Sequence, residues 1–292
     1  MPAVHPFTLE RPRSAEAVVQ LLAEHGDEAR VLAGGQSLTP LLTLGFSSPE
    51  VLVSLDQCSG LDTLEQANGQ LHIGAMVTTA RLEHAAELRV HFAVLVEAAS
   101  QVGSPHVRNF GTVVGNVCHA DPRSDVIVAL LCHDTVIQLK ATGVDRRIAL
   151  EDFIDGPNST KIEPGEMAVA VDVAVEANAG WTFGYRKVVK RAGDPAMAIC
   201  AVRLRCENNY INDARVVVGG AVSLARRLTA LESSLTGVHF AAGAETTLAA
   251  DVLAGVESHL MPERTAPIEY LHTMLPRLVA ATVGDAAGKV AS

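Results

Sequence analysis

Basic charge is scarce in this chain: Lys and Arg total 23 against 33 Asp and Glu, a formal net charge of −10. Such a surface repels phosphate backbones, which excludes a nucleic-acid role. Metal-binding spacings are missing as well. The five cysteines, Cys58, Cys118, Cys132, Cys200 and Cys206, are scattered, without a Cys-x-x-Cys pair or an iron–sulfur spacing. No His-x-x-x-His lies on a helical face, so reduced thiols and no metal are expected in this chain. No apolar run approaches the ~18 residues of a membrane helix. The opening Met1-Pro2-Ala3-Val4-His5-Pro6 lacks a basic segment followed by an apolar stretch, so no secretory signal and a cytoplasmic location are expected.

What is present is globular material. The 292 residues are 48% hydrophobic and 19% charged, enough chain for one large or two to three small domains. Ser14 is placed to cap a helix over Ala15 to His25, with Gly26 as its stop. Ala29 to Ala33 reads as a buried strand running into Gly34-Gly35, with a short helix over Leu38 to Leu42 beyond. Val51 to Leu55 and Leu71 to Ile73 read as strands, the second ended by Gly74-Ala75. Helices are expected from Thr79, over His91 to Ala99 and over Pro122 to Leu131, with a loop at Gly103-Ser104-Pro105. Val136 to Leu139 and Met167 to Val175 read as strands, and Glu176 to Gly180 as a linker. Further strands are expected over 181–189, 196–204 and 214–218. Helices follow over 225–235 and 267–281, the latter started by Pro267 and kinked at Pro276.

Two short strings carry the chemistry. Ala33-Gly34-Gly35-Gln36-Ser37-Leu38 and Gly111-Thr112-Val113-Val114-Gly115-Asn116 each read as a small, amide-rich turn after an apolar segment. Small residues let backbone N–H groups approach a phosphate closely, and a dinucleotide pyrophosphate takes such donors on two sides. A glycine turn between two elements is the plainer alternative. Neither string is a Walker loop or a one-loop dinucleotide fingerprint, and Gly219-Gly220 lacks the third glycine of such a fingerprint.

The first string resembles the Ala-Gly-Gly-x-Ser-Leu motif of the FAD-binding medium subunits of molybdenum hydroxylases. That group includes carbon monoxide dehydrogenase medium subunits, nicotine and quinoline dehydrogenases and the flavin domain of xanthine dehydrogenase. The second is similar to the family's Arg-Asn-x-Gly-Thr-Ile-Gly-Gly-Asn, here Arg108 to Asn116, followed by Ala120, Pro122 and Asp125. Val114 stands where the family has its first glycine. A β-branched residue resists positive φ, so this departure bears on the turn geometry and on one phosphate contact. A third block, Tyr185-Arg186-Lys187-Val188 with Arg191, Gly193, Asp194 and Ala196, resembles the family segment that reaches the isoalloxazine edge.

The resemblance covers roughly residues 1 to 285. It implies an α+β fold: a two-part FAD-binding domain of the vanillyl-alcohol-oxidase/PCMH type over 1–176, with subdomains about 1–57 and 58–176, and a C-terminal α/β domain over 181–285. It implies noncovalent FAD, because Cys118-His119 falls at the pyrophosphate turn and not at the ring. The amides of Ala33, Gly34, Gly35, Gln36, Ser37 and Leu38 are assigned to one side of the pyrophosphate. Gly111, Thr112, Gly115 and Asn116 lie on the other, and Gly74 and Ala75 edge the adenine half. Val102 and Cys118 contact the cofactor by packing or backbone, Asp125 accepts from ribityl hydroxyls, Lys187 sets a cation at the ring's polar edge and Tyr185 shields one face. Without the family, Asp125 is equally a helix cap, Lys187 a solvated strand residue and Tyr185 a core residue.

The function so implied is an electron-transfer subunit of a heterotrimeric molybdenum hydroxylase. Its partners are an iron–sulfur small subunit with two [2Fe-2S] clusters and a molybdopterin large subunit, the trio doubled into a dimer of heterotrimers. The alternatives are a stand-alone FAD-dependent oxidoreductase of the same fold and an assembly subunit that has lost its flavin. Only 4% aromatic residues and no evident substrate-capping domain speak against the first. A hydrolytic set of Ser37, His84 and Asp125 lacks the Gly-x-Ser-x-Gly elbow.

Overall fold

The computed structural model describes residues 5–176, 180–191, 193–208, 210–239, 249–262 and 266–288. Its contacts divide the chain between two units. The first takes residues up to Leu82 together with Ser104–Ala120 and Thr135–Val175; the second takes Glu83–Gly103, Asp121–Asp134 and the chain from Glu176 onward. The sequence boundary near residue 176 differs in that two inner segments, 83–103 and 121–134, join the C-terminal unit. The reason is packing: the helices Arg89–Ser100 and Asp125–Leu130 lie against each other and against strands of that unit. Of the expected linker, residues 177–179 lie outside the described residues.

In the first unit, the helix Ala15–His25 begins where the Ser14 hydroxyl accepts the Ala17 N–H at 3.3 Å, and it ends at Gly26, whose φ of +52° suits glycine. Its inner face buries Val18, Val19 and Leu22. Three parallel strands, β1 (Thr8–Glu10), β2 (Ala29–Leu32) and β3 (Val51–Ser54), form a sheet in the order β1-β3-β2. A second, antiparallel sheet holds β4 (Leu64–Ala67), β5 (Gln70–Gly74), β6 (Thr135–Ala141), β7 (Val144–Ala149) and β10 (Met167–Ala174), in the order β4-β5-β10-β6-β7. Between β7 and β10 a two-stranded pair joins β8 (Ile154–Gly156) and β9 (Ser159–Thr160). The two larger sheets fall on either side of residue 57, where the sequence divides its subdomains. On central β10, Asp172 is buried. Desolvation pushes its carboxyl up, but hydrogen bonds from Gln138 and His72 and the charge of Arg147 hold it below the usual range.

The second unit is a four-stranded antiparallel sheet, β11 (Trp181–Val188), β12 (Ala198–Glu207), β13 (Tyr210–Gly219) and β14 (Arg226–Arg227), in that order. The helix Ile268–Gly288 packs on β11 and β12. It buries Leu271, Leu275, Val279, Val283 and Ala287, a row four residues apart that keeps one face on the core. Gly184 on β11 carries no Cβ because the Thr282 carbonyl occupies that space. The helix runs through Pro276 and on to Gly288, beyond the expected end at 281.

Several elements differ from the sequence reading. Residues 225–235 divide into β14 and a helix over Thr229–Leu235, because Arg226 and Arg227 pair with Val218 and Val217. The loop at Gly103-Ser104-Pro105 is the start of the helix Pro105–Phe110, capped by the Ser104 hydroxyl on Val107 N, with proline in the first turn where no N–H is needed. The second glycine string is not an open turn: its latter half is the helix Val113–His119. No helix among the described residues is long and apolar enough to cross a membrane.

Candidate functional site

The predicted site residues fall into two groups. In the first unit, β2 delivers the chain to Ala33, and Gly35 turns it at a φ of +71° into the helix Leu38–Leu44. Here the two strings interlock. A Cβ on Gly34 would fall on the Phe110 carbonyl and 2.9 Å from the Gly111 Cα, so only glycine lets the two backbones meet. A Cβ on Gly115 would lie 2.7 Å from the Thr112 Oγ1 and 3.8 Å from the Ala33 Cβ. One on Gly111 would stand 3.5 Å from the Gln36 Cγ.

From Gly34 to Leu38 no backbone N–H meets an acceptor among the described residues, although all of these residues are half-buried. Folded chains pair nearly all shielded N–H groups, so a row of unmet donors opened by two residues without a Cβ, Gly34 and Gly35, suits an anion with several oxygens. Ser37 precedes the helix but its hydroxyl makes no cap hydrogen bond. This donor set fits a pyrophosphate.

The second string is used differently. Val113 N donates to the Val77 carbonyl at 3.0 Å, Gly115 N to the Thr112 Oγ1 at 3.1 Å and Asn116 N to the Thr112 carbonyl at 3.0 Å. Thr112, itself buried, thus caps the helix through Gly115 N and Asn116 N, while Val113 N is taken by the Val77 carbonyl. Val114 is fully packed inside the helix and is not among the residues of positive φ. The expected strain of a β-branched residue there does not arise, because helical φ is open to any L-residue. Cys118, half-buried on the same helix, has its thiol pushed up to about 12 by desolvation, which favours the neutral thiol.

Gly74 and Ala75 end β5. Gly74 lies against the Leu61 carbonyl and its N–H donates to the Thr63 carbonyl at 2.9 Å, while Ala75 N donates to Val169. Strand packing therefore already accounts for the glycine.

The second group lies in the second unit and is closed by its own charges. Tyr185 and Lys187 are two apart on β11 and share a face. The Tyr185 hydroxyl donates to the Asp125 Oδ1 at 2.5 Å; the Lys187 Nζ donates to the Oδ2 at 2.8 Å and to the Gln101 carbonyl at 3.0 Å. Asp125 and Lys187 side chains are only 6% and 12% exposed, so this ion pair is held away from water. Desolvation raises the Asp125 carboxyl above its ordinary range, opposed by the Lys187 charge and hydrogen bond and by the Tyr185 hydrogen bond. Burial, then the Asp125 charge, pushes the Tyr185 phenol well above its ordinary range. Ser124, not Asp125, caps the helix Asp125–Leu130, its hydroxyl accepting Ile127 N at 3.0 Å. Since both Asp125 oxygens face Tyr185 and Lys187, no imidazole is paired with it in these bonds, and the hydrolytic set has no support. Val102 is buried one residue beyond Gln101.

Sequence reasoning missed the Phe110 carbonyl, the Gln101 carbonyl and the capping role of Thr112. Backbone oxygens leave no sequence signal. Thr112 did: a threonine three residues before Gly115 and ahead of an apolar run is an N-cap pattern.

The family described as "FAD binding domain in molybdopterin dehydrogenase" matches residues 5–174, and that described as "CO dehydrogenase flavoprotein C-terminal domain" matches 183–283. The nicotine 6-hydroxylase medium subunit of Paenarthrobacter nicotinovorans is 28% identical over 95% of this chain and 96% of its own. The carbon monoxide dehydrogenase medium chain of Hydrogenophaga pseudoflava is 30% identical over 80% of this chain and 81% of its own. A solved carbon monoxide dehydrogenase from the latter organism superposes with a TM-score of 0.92 at 27% identity, over 98% of this chain and 99% of its counterpart.

Proposed function

Because the chain belongs to the family of FAD-binding medium subunits of molybdenum hydroxylases, which are oxidoreductases, we propose that it is the electron-transfer subunit of such an enzyme. It binds FAD without a covalent tether and works in the cytoplasm, in a heterotrimer with an iron–sulfur small subunit and a molybdopterin large subunit, two heterotrimers pairing. Its FAD-binding part, 1–176, is of the vanillyl-alcohol-oxidase/PCMH type, followed by the C-terminal part, 181–285. Bound FAD supplies the redox chemistry, taking electrons from the partner's [2Fe-2S] clusters and releasing them to an external acceptor.

The row of unmet N–H groups from Gly34 to Leu38 is the single observation that carries this reading. Those donors receive the pyrophosphate, and the adjoining helix start adds a partial positive charge. Thr112, Gly115 and Asn116 flank it, with Gly74 and Ala75 at the adenine half and Cys118 as packing. In the second unit, by family resemblance, Asp125 serves the ribityl hydroxyls: each of its oxygens accepts one bond, and an ionised carboxylate has capacity for more. Lys187, paired with that carboxylate, sets a cation at the ring's polar edge, Tyr185 shields a ring face, and Val102 packs.

Co-expression with the two partner subunits is expected to give a yellow complex whose flavin bleaches when the organic substrate is added. Acid precipitation should leave FAD in the supernatant. A colourless complex sinks the reading. Reduction of FAD by substrate in the isolated chain, at the rate of the complex, replaces it with a stand-alone oxidoreductase.

A further inference from the structure

Gln36 follows the glycine pair of the first string, and its side chain meets both strings. The Nε2 donates to the Gly34 carbonyl at 3.3 Å. The stem lies over Gly111, with Cβ and Cγ 3.7 and 3.5 Å from where a Cβ on that glycine would stand. The Gln36 stem thus rests near Gly111 at ordinary packing distance, while the close approach that a Cβ at 111 would make is to the Val107 carbonyl, at 2.8 Å.

The peptide between Gly34 and Gly35 is flanked by glycine on both sides. Turning it over changes ψ of the first and φ of the second, rotations that no Cβ obstructs. In a trans peptide the C=O and N–H point in opposite directions, so the direction of the Gly34 carbonyl also decides where the Gly35 N–H points. If the peptide turned over, a carbonyl oxygen would stand among the donors, with its negative end toward any anion. The observed bond holds the carbonyl toward the Gln36 amide and the Gly35 N–H away from it, with Gly35 at a φ of +71°. That N–H is one of the donors without an acceptor among the described residues.

We infer that Gln36 is a positioning residue: it pins the Gly34–Gly35 peptide so that the Gly35 N–H stays presented to an anion. The inference rests on the FAD reading above, and it adds a role for the side chain where that reading uses only the Gln36 backbone. Its effect is one of population. When only a fraction of molecules present the donor, the apparent dissociation constant rises by the inverse of that fraction.

Gln36→Met is the matched test, because methionine keeps the length and the packing over Gly111 but cannot donate. FAD is titrated into the flavin-stripped full chain and binding followed by flavin fluorescence, with the thermal midpoint of the stripped chain measured beside it. The expected result is an FAD dissociation constant raised about tenfold, the size of one hydrogen bond, with the thermal midpoint unchanged. Hydrogen exchange at residues 34–38 should show less protection by FAD than in the parent chain. Gln36→Ala, which also removes the packing, should weaken FAD further and serves as the second variant should methionine impair folding. An unchanged FAD affinity in Gln36→Met overturns the inference. So does an affinity loss that only parallels a fallen thermal midpoint, which would mark general packing. Failure of the parent chain to bind FAD defeats the reading beneath it instead, so the two failures are distinct.

Discussion

The two groups of candidate residues satisfy their polar atoms in opposite ways. In the first unit, Gly34 to Leu38 leave their N–H groups without acceptors among the described residues. In the second, Asp125, Tyr185, Lys187 and the Gln101 carbonyl answer one another. Open donors on a shielded surface are a demand that something from outside must meet. A closed, charged network first of all supports its own fold: it holds β11, the helix Asp125–Leu130 and the end of the helix Arg89–Ser100 together, and any service to a ligand comes on top of that. Substitutions in the closed group should therefore register in stability before ligand binding, and those in the open group in ligand binding as well.

Lys187→Met breaks the closed group most severely, because it leaves Asp125 buried without its countercharge. Losing one partner of a buried pair costs about 3–5 kcal/mol, and urea unfolding at neutral pH should show a loss of that order. Its pH dependence has a definite sign. The Asp125 carboxyl is already raised in the folded chain, and removing Lys187 raises it further. A raised carboxyl stabilises the folded state below its unfolded value, and this contribution is lost as pH rises through the folded value. The variant should lie nearest the parent at acid pH and farthest at neutral pH. A loss independent of pH would show that Asp125 is not charged there.

Gly34→Ala breaks the open group by overpacking. Its Cβ meets backbone atoms of Phe110 and Gly111, which cannot swing aside as a side chain would. A cost of about 3 kcal/mol is expected, together with loss of bound FAD as the strings part. Calorimetry and the flavin-to-protein absorbance ratio read the two effects, and a folded protein with full FAD content would refute the interlock.

Val114→Gly gives the smallest effect and sharpens the contrast between the strings. If the second string bound phosphate through an open turn, restoring the family's glycine would tighten FAD. In the observed helix it removes a buried side chain and loosens the backbone, for about 2 kcal/mol of lost stability. FAD affinity should not rise; a gain would show that the helical geometry at 114 is wrong.

Much of the fold was legible where short-range chemistry decides it. Ser14 and Gly26 bound the first helix, and alternating burial along β6 matches its reading as a strand. The helix Pro105–Phe110 was legible in Ser104-Pro105 but was outweighed by the glycine before it. Glycine-rich spelling likewise masked the helix Val113–His119, whose start depends on Thr112 pairing with the segment around Val77. Of the site, the residues of both strings were legible as short, glycine-rich runs of family type. Which string keeps its amides free was not, since that depends on acceptors elsewhere in the chain.

The sequence by itself determined the acidic composition, the position of the two glycine strings and the membership of a flavoprotein family. Those properties reside in residue identity and spacing along a few positions. Only the tertiary structure decided that Gly34 faces Phe110, that Gln36 rests near Gly111 and that Asp125 meets Tyr185 and Lys187, 60 and 62 positions away. Such encounters follow from strand register and from helices packing on sheets. Shifting β11 by one residue would turn Tyr185 and Lys187 to the other face without altering a letter of the motif.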